Sequence, residues 1–342
     1  MYGDPPGSPD PACASLPEGA DAWVRAHWDH TPVGCEPMQA GAGARRYWRL
    51  SDRERRSIVF MWALPEDPAI LPPALRAPHP GIPFLDVAEF LAAAGIPVPR
   101  VHAFDLTRRF VLIEDLGRRH LGDLEGLALR QGYGDAIDVL ARTHALAAPS
   151  GASEPPLPYR RCFDAEWVRF ELRLFAGLDW SEATRARLVE PLEALVQRVA
   201  ALPRVLCLRD YQSQNLLLDP SGRLRVIDFQ DALLAPAALD LAALLWDSYL
   251  SLPEPERAAL LRRYDERAPR AVPREELALL IVQRKCKDLS RFHMLAHQRG
   301  DARYIPALAR AAASIREAVP RLDPSLAEVG STLLDALAEV GA

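Results

Sequence analysis

The sequence predicts an α+β fold of two lobes, a small N-terminal lobe with an antiparallel sheet and one main helix, and a larger C-terminal lobe that is mostly helical. Short β-branched and apolar runs are concentrated before residue 115, and helical periodicity dominates after it. The segment Glu114-Asp115-Leu116-Gly117 separates the two patterns. We therefore expect a disordered tail over residues 1–20, an N-terminal lobe over 21–116 and a C-terminal lobe over 117–342.

The N-terminal lobe is predicted element by element. Residues 1–20 are rich in Pro, Gly, Ala and Ser, a composition typical of disordered tails. Apolar residues at helical spacing predict a main helix over residues 84–94, because Phe84, Val87, Leu91 and Ala94 fall on one face and Gly95 can end it. The remaining predictions are a helix over 22–30, a glycine turn and strand over 41–50, a strand over 57–62, a Pro-rich loop over 65–83, and paired strands over 100–104 and 110–113.

The C-terminal lobe is predicted to be helical, with a few short strands. The turn Asp219-Pro220-Ser221-Gly222 joins two of these strands as a hairpin. Helices are predicted over residues 134–146, 163–175, 182–202 and 239–250, and strands over 206–208, 216–218 and 224–227. Two lobes joined by one strand leave a cleft between them, which is a common place for a ligand.

Composition excludes several classes of partner. The formal net charge is −5, and no basic stripe interleaved with aromatics is present, so nucleic acid is not an expected partner. The most apolar stretch, residues 232–246, is interrupted by Pro236 and Asp240 and is too short to cross a bilayer. The five cysteines form no C-x-x-C pair, and the first residues lack the features of a signal peptide, so we expect a cytoplasmic protein with reduced thiols.

Three polar residues beside apolar strands predict phosphoryl-transfer chemistry. Asp210 follows one strand, and Asn215 and Asp228 flank the hairpin, so strand pairing can bring the last two to one end. Phosphoryl transfer requires a carboxylate that orients the attacking hydroxyl, and oxygen ligands that hold Mg²⁺ against the phosphates. Asp210 fits the first role, and Asn215 and Asp228 fit the second. The alternative is that each residue only caps a turn or ends a strand.

These motifs resemble those of the aminoglycoside phosphotransferase-like kinases, a branch of the protein-kinase-like fold. The similarity rests on Asp210-x4-Asn215 together with Ile227-Asp228-Phe229. Further segments are similar to the anomeric N-acetylmuramate and N-acetylglucosamine kinases of bacterial cell-wall recycling, and the resemblance covers about residues 25–315. The segments that carry this second similarity are Val226-Ile227-Asp228-Phe229-Gln230-Asp231-Ala232, Pro236 with Asp240-Leu241, Arg45-Arg46-Tyr47-x-Arg49, Glu114-Asp115-Leu116-Gly117, Gln283-Arg284-x2-Lys287 and Arg303-Tyr304.

The resemblance implies ATP and Mg²⁺ as cofactors and a small-molecule acceptor, with an amino sugar favoured. Adenine would lie against the backbone of Glu114, Asp115 and Leu116 in the N-terminal, nucleotide-binding lobe. Backbone N–H groups at Gly41 and Gly43 would reach the phosphates. The rival acceptors are other small alcohols, such as an aminoglycoside, choline or homoserine.

Two departures from the family pattern bear on activity. Leu208 stands where relatives usually carry a histidine two places before the catalytic aspartate. The strand over 57–62 has no lysine to bind the α/β-phosphates, and Met61 stands about where it would be. Arg45 or Arg46 could replace it, because arginine binds phosphate bidentately, or both could form a solvated basic turn. These departures leave a nucleotide-binding pseudokinase as an alternative.

Several candidates remain open between a functional and a structural role. Asp231 could bind an acceptor hydroxyl or belong to a turn, and Glu89 could pair with an arginine or face solvent. Asp240 is expected to be structural, holding the catalytic loop through Arg209. His293 and His297 have the i,i+4 spacing of metal ligands, but no third ligand is evident.

Overall fold

The computed structural model describes residues 15–38, 43–151 and 154–339. The strands are β1 (Gly34–Pro37), β2 (Arg46–Ser51), β3 (Ser57–Trp62), β4 (Val101–Asp105), β5 (Phe110–Glu114), β6 (Arg119–His120), β7 (Val205–Cys207), β8 (Leu216–Leu218), β9 (Leu224–Val226) and β10 (Leu233–Ala235). The α-helices are α1 (Ala20–His27), α2 (Pro83–Ala93), α3 (Gly126–His144), α4 (Ala165–Ala176), α5 (Glu182–Ala200), α6 (Ala238–Leu245), α7 (Glu254–Asp265), α8 (Arg274–His293), α9 (Ile305–Ala318) and α10 (Ala327–Glu339).

The N-terminal part is an antiparallel sheet of five strands in the order β1-β2-β3-β5-β4. The central strand β3 is buried on both faces, which explains its continuous apolar sequence. Its Ile58 and Phe60 pack in a core with Trp23 of α1, whereas Val59 and Met61 face the core that contains α2. The sheet is therefore covered by a helix on each side.

The C-terminal part is mostly helical and is organised around α6 and α8. Every residue of α6 is buried. Helix α8 packs against α4, α6 and α9, and 14 of its 20 residues are buried. A helix that is buried on most of its surface lies inside a large core, so its buried charged residues Arg284, Lys285 and Asp288 require partners.

Two small sheets lie among these helices and carry the predicted site. Strand β7 pairs with β10, and β8 pairs with both β6 and β9. Asp210 follows β7, Asn215 precedes β8 and Asp228 follows β9. All three residues therefore lie on short connections whose positions are set by strand pairing.

The small sheets also join the N-terminal part to the helices. The Val226 N–H donates to the carbonyl of Pro97 (2.8 Å), and Arg225 donates to the carbonyl of Val98 (2.7 Å). Arg225 also pairs with Glu114 at the end of β5, at 2.6 Å. The predicted division at residues 116 and 117 falls between β5 and β6 and stays a prediction.

The architecture agrees with the predicted α+β class, but several boundaries differ. Helix α3 begins eight residues before the predicted start. In its first part, Arg130 and Gln131 are exposed polar residues, and they interrupt the apolar helical spacing from which the start was predicted. Helix α6 ends at Leu245 rather than residue 250, and α1 spans Ala20–His27 rather than 22–30. Strands β1, β6 and β10 are four residues long or shorter, too short to show a pattern.

Parts of two predictions fall on residues that are not described. Residues 1–14 of the predicted tail and Gly41 of the glycine turn lie outside the described residues. Within the described chain, no helix is both long enough and apolar enough to cross a membrane. The four described cysteines, Cys35, Cys162, Cys207 and Cys286, are all free thiols.

Candidate active site

The loop that carries Asp210 is fixed by a buried carboxylate. Asp240, on α6, is fully buried and accepts the Leu208 N–H (2.7 Å) and the Arg209 N–H (2.8 Å). Arg209 has a φ of 73°, in the left-handed region that a non-glycine residue rarely adopts. The expectation that Asp240 is structural and holds this loop is confirmed, and the contact is to backbone amides.

An imidazole supports Asp240 from a different part of the chain. His144 Nε2 lies 3.3 Å from Asp240 Oδ2, and its Nδ1 lies 2.6 Å from the hydroxyl oxygen of Tyr264. Leu208 itself is buried in the apolar core. His144, at the end of α3, thus contacts the carboxylate that holds the Asp210 loop.

Cys207 completes a buried group with His144 and Asp240, whose possible ligand atoms lie within 4.8 Å of one another. Burial, followed by the charge of Asp240, raises the pKa of the Cys207 thiol. A protonated thiol is a poor metal ligand, and its contacts to the carbonyls of Ala235 (3.4 Å) and Pro236 (3.5 Å) suit a donor. We therefore assign this group a structural role.

Cationic side chains surround the Asp210 carboxylate. Arg284 Nη2 lies 2.9 Å from Oδ1, Lys287 Nζ lies 3.4 Å from the same oxygen, and Arg209 Nη1 lies 3.7 Å from Oδ2. Burial raises the pKa of Asp210, but the charges of Lys287, Arg209 and Arg284, with Arg291 beyond them, hold it well below its usual range. Asp210 is therefore ionised, with 20% of its side chain exposed.

Asn215 and Asp228 lie side by side across the β8–β9 hairpin. The Ile227 N–H donates to the Asn215 carbonyl (2.9 Å), which places the two side chains at the same end. Asn215 Nδ2 donates to the backbone carbonyl of Asp210 (2.8 Å), so its orientation is fixed relative to the Asp210 loop. Asp228 has a φ of 59°, and 42% of its side chain is exposed. Asn215 thus contacts the Asp210 loop, and Asp228 lies at the same end of the hairpin as Asn215.

The side chains of Arg45 and Arg46 contact different parts of the molecule. Arg45 Nη2 lies 3.1 Å from Asp228 Oδ1, and its other terminal nitrogen donates to Gln230. Arg46 turns back and donates to the carbonyls of Gly43, Ala44 and Arg45 at 3.0–3.2 Å. Arg45 therefore reaches the candidate site, whereas Arg46 holds the turn.

The glycine turn is packed against an acidic side chain. The Ala44 N–H donates to Glu66 Oε1 (2.7 Å), and a Cβ at Gly43 would lie only 2.5 Å from that oxygen. A side chain at position 43 would therefore require Glu66 to move. The Ala44 N–H, which follows the predicted phosphate-binding residue Gly43, is thus held by a carboxylate.

The acidic side chains of residues 114–116 are used to fix the segment. Arg49 binds Asp115 bidentately (2.7 and 3.0 Å) and also donates to the Gly117 carbonyl. Glu114 accepts two hydrogen bonds from Arg225 (2.6 and 2.9 Å), and Leu116 is buried. Any contact of this segment with a base must therefore use its backbone.

Comparisons with known proteins agree with this geometry. A sequence profile described as the phosphotransferase enzyme family (APH) matches residues 34–277. The chain is also 32% identical over 336 residues to an N-acetylmuramate/N-acetylglucosamine kinase of Pseudomonas aeruginosa, with 93% of this chain and 92% of that protein covered. The chain belongs to the phosphotransferase enzyme family. This phosphotransferase is a small-molecule kinase, as predicted.

Solved structures confirm the protein-kinase-like fold. The choline kinase LicA of Streptococcus pneumoniae is similar with a TM-score of 0.59 at 14% identity, covering 86% of this chain and 98% of that chain. The spectinomycin phosphotransferase APH(9)-Ia, in complex with ADP and spectinomycin, is similar with a TM-score of 0.57 at 14% identity, covering 92% and 97%. Likeness at this identity concerns the fold alone.

Three side chains of α4 differ in what they contact. Glu171 is buried and accepts from the Trp167 indole (3.1 Å), Arg209 (3.3 Å) and Gln283 (2.9 Å). Trp167 is fully buried beneath Arg209 and is therefore a packing residue. Arg169 pairs with Glu193 of α5 instead of facing the site.

The structure also places the candidates whose role the sequence left open. Asp231 lies beside Asp210 and is bound by Arg209 Nη1 (3.1 Å), with 27% of its side chain exposed. Glu89 is exposed on α2, which agrees with a solvent-facing residue. The rings of His293 and His297 are 4.7 Å apart, and no third ligand joins them within the described residues.

Arg284, Lys287 and Arg291 of the phosphotransferase were not assigned roles from sequence. Their spacing of three and four residues places them on one face of α8. A row of cations on a helix that is otherwise largely buried could have indicated a site. The partner of Lys287 in this row, Asp210, however, lies 77 residues away in sequence.

Proposed function

We propose that this chain is an ATP-dependent phosphotransferase that transfers the γ-phosphate to the anomeric hydroxyl of an amino sugar. The observation that carries the proposal is the ionised Asp210, held beside Asn215 and Asp228 by Asp240 and Arg284. In the step, the hydroxyl O–H bond breaks and its proton passes to Asp210. The hydroxyl oxygen bonds to the γ-phosphorus, whose bond to the β–γ bridging oxygen breaks and releases ADP.

Asn215 and Asp228 would hold Mg²⁺. Their amide and carboxylate oxygens are ligands of the kind that Mg²⁺ prefers, and both belong to one rigid hairpin end. When bound, the ion would neutralise charge on the nucleotide phosphates. The Asp210 loop is tied to this hairpin through the Asn215 amide, so the base and the ligands keep a fixed spacing.

Arg45 would take the place of the absent small-lobe lysine. It lies against Asp228, where the phosphates would meet the metal, and its guanidinium can bind a phosphate oxygen. Arg46 is engaged with three backbone carbonyls and stays in the turn. Adenine would meet the backbone of residues 114–116, and Glu66 would leave the Ala44 N–H when the phosphates arrive.

The charge of the acceptor side favours a neutral or anionic sugar over a cationic alcohol. Arg209, Arg284 and Lys287 surround Asp210, and Arg291 lies near enough to lower its pKa. The other nearby carboxylates, Glu171 and Asp231, are both bound to Arg209. An aminoglycoside or choline would meet repulsion here, whereas N-acetylglucosamine is neutral and N-acetylmuramate carries a carboxylate.

The test is ADP release from MgATP with N-acetylmuramate, N-acetylglucosamine, kanamycin, choline and homoserine. We expect turnover on the amino sugars, and loss of the sugar's reducing end as the anomeric position is phosphorylated. Asp210→Asn should lower kcat by about 10²–10⁴-fold with MgATP binding retained. Asp52→Asn makes the same change in a turn of the N-terminal sheet and should leave kcat unchanged. Turnover only on a cationic acceptor would refute the acceptor assignment.

A further inference from the structure

The chain has two lysines, Lys285 and Lys287, on the same helix but in different surroundings. Lys285 Nζ donates to Asp288 (2.9 Å) and to the Ser248 hydroxyl (2.9 Å), and its side chain is 1% exposed. Lys287 points instead to the catalytic carboxylate, and its side chain is 11% exposed. Lys285 is thus a buried structural cation, while Lys287 can be reached from the site.

Lys287 has hydrogen-bonding capacity that the folded chain does not use. An ammonium group has three N–H donors, and within the described residues Lys287 has one acceptor, Asp210 Oδ1, at the long distance of 3.4 Å. Arg284, by contrast, also donates to the Arg209 carbonyl (2.9 Å) and to Gln212 (3.4 Å). Arg284 therefore positions the loop, and Lys287 retains donors for another group.

The geometry around Asp210 indicates which group that is. An acceptor hydroxyl that donates to the Asp210 carboxylate lies about 2.7 Å from it. Nζ lies 3.4 Å from the same carboxylate, so one oxygen atom can be within hydrogen-bonding distance of both. We propose that Lys287 is a catalytic residue that donates a hydrogen bond to the attacking hydroxyl oxygen of the acceptor.

The charge of Lys287 would act when the proton leaves. The hydroxyl O–H bond breaks toward Asp210, the oxygen uses its electron pair to bond the γ-phosphorus, and ADP leaves with the bridging oxygen. Negative charge on the hydroxyl oxygen during this step is stabilised by the ammonium group beside it. Lys287 keeps its own proton throughout, so it is an electrostatic partner of the general base.

The surroundings of Lys287 also give a pH signature. It faces Asp210 and Arg209 of the catalytic loop, Glu171 of α4, and Arg284 and Asp288 of α8. Burial and the charge of Arg284 lower the pKa of Lys287, although the carboxylates oppose this. The rate should therefore fall at alkaline pH as Lys287 loses its charge.

The inference rests on the proposed function, and its test compares Lys287→Met, Lys287→Arg and the matched control Lys285→Met. With N-acetylglucosamine, Lys287→Met should lower kcat by about 100-fold or more, with the KM for MgATP little changed. Lys287→Arg should recover part of kcat and lose the alkaline decline, because arginine stays charged. Lys285→Met should have a lower Tm with kcat little changed.

The outcomes separate the two proposals. If the wild-type protein uses another alcohol, the acceptor assignment fails, and the same variants are compared on that alcohol. If the wild-type protein phosphorylates none of the alcohols, the variants are compared on basal MgATP hydrolysis, in which water is the attacking group. An unchanged kcat in Lys287→Met, or an equal loss in Lys285→Met, would overturn the role of Lys287. Circular dichroism and ADP binding establish whether each variant is folded. If Lys287→Met does not fold, Lys287→Arg still tests the role of Lys287.

Discussion

Replacing Asp240 by asparagine tests how the catalytic loop is held. Asp240 is fully buried, and its two carboxylate oxygens accept the amides of Leu208 and Arg209. Asparagine has the same shape but only one acceptor oxygen, and its NH₂ group would face a second N–H donor. One backbone amide of the loop would therefore lose its partner in a dry environment.

The expected cost follows from these contacts. A hydrogen bond to a charged group contributes about 1.5–3 kcal/mol, and a buried donor left alone adds a desolvation penalty of similar size, so we expect a loss of about 2–4 kcal/mol in the free energy of unfolding. The left-handed φ of Arg209 stores further strain, which the anchor opposes. Once released, the loop can relax and displace Asp210, and a shift of about 1 Å in a reacting group can lower kcat about 100-fold.

The assay combines urea unfolding with steady-state ADP release under conditions in which each variant is folded. Asp52→Asn is the matched control, because Asp52 accepts the amides of Glu54 and Arg56 at 2.9 Å in the turn between β2 and β3 and does not contact the Asp210 loop. Both variants should lose stability, and only Asp240→Asn should lose kcat. An Asp240→Asn enzyme with reduced stability and a normal kcat would show that the anchor does not position Asp210.

Three further predictions concern separate parts of the molecule. Arg45→Ala should raise the Kd for MgATP about tenfold or more, as expected for a lost hydrogen bond to a charged group, whereas Arg46→Ala should change the Kd much less. Titration calorimetry with MgATP checks both. Burial raises the pKa of Asp219, but hydrogen bonds, the largest from Ser221, hold it at about 2. Its stabilisation is present above about pH 4 and is lost as the pH falls toward 2, so Asp219→Asn should cost about 2 kcal/mol at pH 7 and flatten the acid dependence of urea unfolding. Arg291 lies one turn beyond Lys287 on α8, where it could bind the carboxylate that N-acetylmuramate has and N-acetylglucosamine lacks. Arg291→Gln should therefore raise the KM for N-acetylmuramate about tenfold and leave the KM for N-acetylglucosamine little changed. Equal effects on the two KM values would exclude Arg291 as the carboxylate ligand.

In the proposed reaction, Asp210 would act as a weak base, because the cations around it lower its pKa. A carboxylate with a lowered pKa accepts a proton less readily, which suits an acceptor hydroxyl that is itself more acidic than an ordinary alcohol. The anomeric hydroxyl of a sugar is of that kind. The charge that lowers the basicity of Asp210 also stabilises the developing oxyanion, so both effects favour the same class of acceptor.

The sequence by itself determined the fold class, the order of the sheet-bearing and helical parts, and the set of Asp210, Asn215 and Asp228. These features depend on local signals: an apolar run next to a turn makes a hairpin, and the hairpin brings its flanking polar residues together. The choice between Arg45 and Arg46 was left open, because adjacent residues share the same local pattern.

Only the tertiary structure decided what surrounds that set. Lys287 meets Asp210 across 77 residues of sequence, and His144 meets Asp240 across 96. Helices α3 and α8 have extensive apolar faces that could pack against more than one neighbour, so periodicity does not specify which polar residues they bring to the loop. The positive charge around Asp210 arises from that packing.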